Sequence, residues 1–243
     1  EEVTACAALI HRRLSVIDYK TGVQPMTRTV KGETYTLIYN GELYNTSELT
    51  AELKSLGYKF FGYSDTEALL YSYIEWGKDC PNRLNGMFAF AVWEHNKKRL
   101  YMARDRFGIK PLFYYVYDNS EHGKGIIFGS MIKTLLANPL VPKKIDSQGL
   151  KQIFLLGPGK ISGSGIIKDI HELKPSHYLI YENNLLKTER YWSLNAIPHE
   201  DNLFLTIEKT RWLVLDSIKR QLVSDVPLCC FLSGGLDSSI VSS

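Results

Sequence analysis

No stretch of this 243-residue sequence stays apolar for the roughly 18 residues that a membrane-spanning helix needs, so no membrane partner is expected. Cysteine is scarce. Cys6, Cys80, Cys229 and Cys230 form no Cys-x-x-Cys pair, and two of them are adjacent, which suits neither a zinc site nor a disulfide framework. A reducing, cytoplasmic setting is the expectation. The six histidines show no His-Glu-x-x-His spacing and read as surface and strand-end residues. An excess of one charge is also missing: the formal net charge is +3, Lys and Arg are scattered, and no nucleic-acid partner is expected. The opening "EEVTACAALI" has no basic leader and no initiator Met, and reads as a chain already under way. Internal repeats and low-complexity segments are lacking as well.

The sequence does have the makings of a packed core, with 44% hydrophobic and 23% charged residues. "NTSELTAELKSLG" predicts a helix with Asn45 as cap, Glu48 at capping-box spacing, Leu49, Leu53 and Leu56 on one face, and Gly57 as the stop. "SDTEALLYSYIEWG" repeats the scheme with Ser64, Glu67 and Gly77. Strands are predicted at "GMFAFAVWE", "RLYMARD", "PLFYYVY" and "GIIFGS", and a hairpin around Asn183 and Asn184. Helix pairs followed by antiparallel-looking strands argue for an α+β fold with layered sheets. "AIPHEDN", residues 196–202, reads as a linker to a helix over 203–222 with Val214, Ile218 and Leu222 on one stripe, and "PLCCFL" reads as a short strand.

That strand leads into "SGGLDSS". Ser233, Gly234 and Gly235, then Asp237, Ser238 and Ser239 opening a helix, form a phosphate-binding arrangement, because glycines admit the backbone to the anion and free N–H groups face it. The Gly-Lys-Ser/Thr ending of a Walker A loop is absent, so another nucleotide chemistry is implied. A plain Gly turn with Asp237 lending charge to a helix end fits the same residues.

The terminal loop resembles the pyrophosphate loop of the ATP pyrophosphatases. "HRRLSVID", "YNGELYN" and "YSDTEAL" resemble the glutamine-binding motifs of the class II glutamine amidotransferases. Together with "GMFAFAVWE", "ARDRFGIKPLFY" and the terminal loop, in that order from His11 onward, they are similar to the glutamine-hydrolysing asparagine synthetase family. The resemblance implies a layered αββα N-terminal-nucleophile hydrolase sandwich over residues 1–195, and the first helix, strand and phosphate loop of an α/β ATP-pyrophosphatase domain over 203–243. It implies that Arg13 holds the glutamine α-carboxylate, Asp65 the α-ammonium, Asn40 and Gly41 the oxyanion, and that Glu42 lines the pocket. The six loop residues would hold ATP phosphates, with Asp237 placing magnesium. Read singly, Arg13 also fits surface charge, Asn40–Gly41 a hairpin turn, and Asp65 a helix cap.

The resemblance further implies an amino-terminal cysteine nucleophile. No residue here matches it, and Cys6, in an apolar strand, reads as a small buried residue. The expectation is therefore a fragment cut at both ends and itself inactive. Met131, Ser176 and Cys229 depart from the family pattern, where Glu, Gly and Gly are usual. The implied reaction is ATP-dependent amide synthesis, with glutamine supplying ammonia to an adenylated aspartate, and a homodimer is compatible with it. The alternatives are a related amidotransferase with a cell-wall or β-lactam-type carboxylate acceptor, and a non-catalytic glutamine- or nucleotide-binding homologue.

Overall fold

Alternation within "GMFAFAVWE" decides the layering. Phe88, Phe90 and Val92 point one way and Ala89, Ala91 and Trp93 the other, and both sets meet apolar neighbours. A strand packed on both faces must lie between two layers. The computed structural model, which describes residues 7–13, 17–157, 159 and 161–243, shows what those layers are. Cys6 lies outside the described residues.

The chain runs through strands Met26–Val30 (β1) and Glu33–Leu43 (β2), then helices Thr46–Ser55 (α1), Asp65–Trp76 (α2) and Cys80–Arg83 (α3). Strands Gly86–Glu94 (β3), Arg99–Arg104 (β4), Phe113–Asn119 (β5) and Gly123–Gly129 (β6) follow, with helices Ile132–Leu136 (α4) and Ser147–Leu156 (α5). Strands His171–Glu172 (β7), His177–Glu182 (β8) and Leu185–Arg190 (β9) lead to helices Leu203–Gln221 (α6) and Leu236–Ser242 (α7). Six strands form one antiparallel sheet, ordered β1-β2-β3-β4-β8-β9, and three form a second, β6-β5-β7.

Three apolar layers hold these sheets. Leu49 of α1 and Leu69, Leu70 and Tyr73 of α2 pack on Leu37, Phe88, Phe90 and Tyr101 of the large sheet. On its other face Ala89, Ala91, Met102 and Leu179 meet Tyr114, Ile126 and Phe128 of the small sheet. Beyond that, Leu135 of α4 packs with Phe113. The order helix, sheet, sheet, helix is the αββα sandwich expected from the sequence. Each fully buried leucine, such as Leu37, Leu69 or Leu70, contributes about 1.5–3 kcal/mol. Among the described residues no helix is long and apolar enough to cross a membrane.

The helix ends correct the sequence reading in detail. Asn45 does precede α1, but its side chain makes no cap bond; its amide donates to the Arg83 carbonyl and its Oδ1 accepts from Asn85 N–H, tying the helix start to the entrance of β3. Ser64 does cap α2, accepting from Thr66 N–H, yet Glu67 does not reciprocate as in a capping box. Instead Glu67 accepts from Phe61 and Gly62 N–H and pairs with Arg28 at 2.7 Å. Asn183 and Asn184 both take positive φ, 51° and 61°, as a two-residue hairpin turn with the twist of its strands requires.

"PLCCFL" is not a strand. Residues 227–232 are irregular and exposed, with no neighbouring strand among the described residues to take up their backbone groups. The helix α6 forms as predicted, starting at the Asn202 cap, but none of its side chains is buried, so its apolar stripe has no core to enter. Cys80, Cys229 and Cys230 are free, and burial pushes the Cys80 thiol pKa up.

Candidate functional site

A cleft of about 690 Å³ opens at one edge of the space between the two sheets. The short side chains of Ala89 and Ala91 on β3 leave room for it where larger residues would close the sandwich. Arg13, Asn40, Gly41, Glu42 and Asp65 all line this cleft, although 52 positions separate the first from the last. The turn alternative for Asn40–Gly41 is excluded. Both residues sit inside β2, paired with Ala89 and Phe88 of β3.

Strand pairing also explains why residue 41 is glycine. A Cβ there would stand 2.1 Å from the Met87 carbonyl oxygen and 2.8 Å from Phe88 Cα, both of them backbone atoms of the neighbouring strand. Only a residue without a side chain lets β2 and β3 approach this closely beside the cleft.

Asp65 begins α2, and it is more than a cap. Its Oδ2 accepts from the Tyr39 hydroxyl at 3.0 Å and from Leu43 N–H at 3.3 Å. Burial still holds its carboxyl pKa above the ordinary aspartate value, against the pull of these donors and of the Arg13 charge. Glu42 is raised too, first by burial and then by the Asp65 charge, with Lys110 opposing. Two carboxyl groups that resist ionisation, Asp65 buried and Glu42 half-buried, make a site that gains from an arriving cation.

Arg13 is placed by backbone. Its Nη1 donates to Asp18 O at 2.9 Å and its Nη2 to Ile17 O. These bonds use two of the five N–H groups of the guanidinium, leaving its fork able to meet a planar anion. Gly22 closes the turn around it, since a Cβ there would lie 2.6 Å from Arg13 Nη2. His11, also in the cleft, has its pKa lowered by burial and by the Arg13 charge.

Sequence reasoning missed two contributors. Gln24 accepts from Tyr39 N–H at 2.6 Å and donates to Thr66 Oγ1 at 3.4 Å, fastening β2 to α2 behind the cleft, and nothing in its local sequence marks it. Lys110 reaches the cleft from "ARDRFGIKPLFY", a motif visible in the sequence without an assigned task. Its position comes from two adjacent charged residues that grip backbone. Asp105 accepts from Phe88, Phe107, Ile109 and Lys110 N–H, and Arg104 donates to the Gly108, Lys110 and Leu173 carbonyls at 2.7 Å each. Arg104 also pairs with buried Glu172 at 3.1 Å. Ser176 takes φ 62°, which accounts for a usual Gly there, and its hydroxyl offsets the strain by donating to Arg106 O at 2.8 Å. Met131 lines the far end of the cleft, half-exposed.

Ser233–Ser239 lie apart from the cleft. Ser233 and Ser238 hydroxyls meet at 2.9 Å, Ser239 Oγ donates to Gly235 O at 2.8 Å, and a Gly234 side chain would find no atom within 4 Å. Asp237 is exposed, and among the described residues no group of three or more His, Cys, Asp or Glu side chains could hold a metal ion.

Residues 2–192 match the sequence model described as the glutamine amidotransferase domain, and residues 209–243 match that described as asparagine synthase. The glutamine-hydrolysing asparagine synthetase 3 of Bacillus subtilis strain 168 is 49% identical over 96% of this chain and 37% of its own length. The amidase chyE of Penicillium rubens is 33% identical over 96% of this chain and 34% of its own length. The chain thus spans little more than a third of these curated relatives. Among solved structures, a glutamine phosphoribosylpyrophosphate amidotransferase of B. subtilis superimposes with a TM-score of 0.47 and 22% identity over 71% of this chain and 32% of its own. With four-fifths of its length matched by one family and the family's expected motifs gathered in a single cleft, this chain belongs to the glutamine amidotransferase domain family.

Proposed function

We propose that this chain is the glutamine-hydrolysing part, and the start of the synthetase part, of an ATP-dependent amide synthetase that delivers ammonia from glutamine to an adenylated aspartate, giving asparagine, glutamate, AMP and pyrophosphate. The observation that carries this reading is the convergence of Arg13, Asn40, Gly41, Glu42 and Asp65 on one cleft. An α-amino acid presents a carboxylate and an ammonium a few ångströms apart. Arg13 takes the carboxylate with its remaining N–H groups, and Asp65, whose carboxyl burial disfavours as an anion, takes the ammonium. The side-chain amide under attack then lies toward Asn40 and Gly41 on β2. There the Asn40 amide and the Gly41 N–H stabilise the oxyanion as it forms. Glu42 and Lys110 set the charge balance at the same wall. The sulfur nucleophile implied by the family has no match among these residues.

ATP suits the terminal loop: the space over Gly234 is open, and the hydroxyls of Ser233, Ser238 and Ser239, now bonded to one another and to the Gly235 carbonyl, are exchangeable donors for a pyrophosphate. Bound there, ATP would supply an adenylyl group to an oxygen of the acceptor carboxylate, releasing pyrophosphate and leaving AMP as the group that ammonia displaces. Asp237 is the loop's one carboxylate that would hold magnesium, and the ion would supply charge neutralisation for the phosphates. A second reading is the same chemistry on another carboxylate acceptor; that one relative is named an amidase rather than an asparagine synthetase is what keeps it beside the first. In both readings the setting is cytoplasmic, where ATP is available.

Asn40→Ala in the full-length protein tests the first half. The oxyanion appears only during attack, so glutaminase kcat should fall by about 10²–10³ with a nearly constant KM. Amide formation from free ammonia should be unchanged. A raised KM at constant kcat would reassign Asn40 to ground-state binding.

A further inference from the structure

The segment that follows α6 returns to the loop that holds Arg13. Asp225 Oδ2 accepts two hydrogen bonds, from Asp18 N–H at 2.8 Å and from the Tyr63 hydroxyl at 2.9 Å. Asp18 is the residue whose carbonyl receives Arg13 Nη1, and its neighbour Ile17 receives Nη2. Asp18 is buried and takes φ 49°, a left-handed backbone that a non-glycine residue keeps only when its surroundings fix it. Its side chain is fixed by Thr21 N–H at 2.9 Å and Tyr63 N–H at 3.1 Å. Its N–H is fixed by Asp225, its acceptor among the described residues. A second tie, Arg220 to Glu48 at 2.5 Å, holds the end of α6 against α1 and keeps residue 225 in reach.

We infer that Asp225 is a positioning residue for the cleft: by clamping Asp18 and Tyr63 it sets the two carbonyls that aim the Arg13 guanidinium, so that residues beyond the amidotransferase match complete the carboxylate end of the glutamine site. The inference rests on the proposal that Arg13 binds the glutamine carboxylate. Seven residues separate Asp225 from Ser233, so the clamp also stands directly upstream of the phosphate loop.

The test is Asp225→Ala in the full-length protein, read in two ways. Hydrogen exchange over residues 17–22 should accelerate tenfold or more at the Asp18 amide. The KM for glutamine should rise roughly tenfold, as for loss of one charge-assisted contact, while glutaminase kcat and ammonia-dependent synthesis hold. Asp225→Asn keeps an oxygen that can accept both bonds and should restore most of the affinity, which a merely structural role would not predict. An Asp18 amide that stays protected, or an exposed amide with unchanged KM, overturns the inference. A parent protein that does not hydrolyse glutamine instead sinks the proposed function, and the exchange measurement still decides whether Asp225 holds residue 18.

Discussion

Asp65 serves two demands that a single substitution can separate. In Asp65→Asn a side-chain oxygen remains to accept from the Tyr39 hydroxyl and Leu43 N–H, and the charge that burial disfavours is gone. The carboxyl pKa is raised in the folded protein, so the native state binds more protons than the unfolded chain once pH exceeds the ordinary value near 3.8. Stability of the parent therefore falls as pH rises from that value through the folded one. The Asn variant does not titrate there, and should melt higher than the parent at pH 7 and equally near pH 4. Asp65→Ala strands both donors, each at about 1–3 kcal/mol, and should lose roughly 2–6 kcal/mol. At about 2–4 °C per kcal/mol for a chain of this size, the two variants diverge well beyond error. On the proposed placement of glutamine both lose the contact to its ammonium, worth about 1.5–3 kcal/mol, so KM should rise roughly 10–150-fold in each. Thermal melts from pH 4 to 8, with glutaminase kinetics on the full-length protein, provide the comparison. An Asn variant as unstable as the Ala variant at pH 7 would show the charge to be structural, and an unchanged KM would remove Asp65 from the binding site.

Gly41→Ala forces a Cβ against backbone atoms of β3 and should cost about 1–3 kcal/mol or more, lowering the urea midpoint; an unchanged midpoint would mean that the strands part easily. Asp237→Asn should abolish pyrophosphate release with glutamine and ammonia alike while glutamine hydrolysis continues, because its hard anionic oxygen is lost and the cleft is untouched. Normal pyrophosphate release would return Asp237 to a helix-end charge worth a few tenths to one kcal/mol.

Features encoded by neighbouring residues were legible in the sequence. Strand β3 reads from its own alternation, the ends of α1 and α2 from Gly57 and Gly77, and the β8–β9 turn from two asparagines. Partners that arrive from far along the chain were not. Asn45 looks like a cap until Arg83 and Asn85, some 40 positions away, claim its amide. Glu67 likewise is claimed by Arg28 rather than by its own helix. "PLCCFL" has strand composition, but composition cannot supply the adjacent strand that a ladder needs. In the cleft, Arg13, Asn40, Gly41, Glu42 and Asp65 were named through motif resemblance, whereas Gln24 and Lys110 depend on what the fold sets beside them.

The grip of Arg104 and Asp105 on their own loop bears on how such a site can vary. Apart from one turn bond, Gly108 N–H to the Asp105 carbonyl, the hydrogen bonds that shape residues 107–110 run between those two side chains and main-chain atoms, which all residue types share. The side chains of Phe107 and Ile109, 70% and 58% exposed, make none of these bonds, although the Phe107 ring meets Trp192 edge-on. Arg104, Asp105 and Gly108, whose φ of 68° and close approach to Pro175 and Arg104 bar a side chain, thus carry the shape, and the outer surface at Ile109 is left open to drift or redesign while Lys110 stays in place.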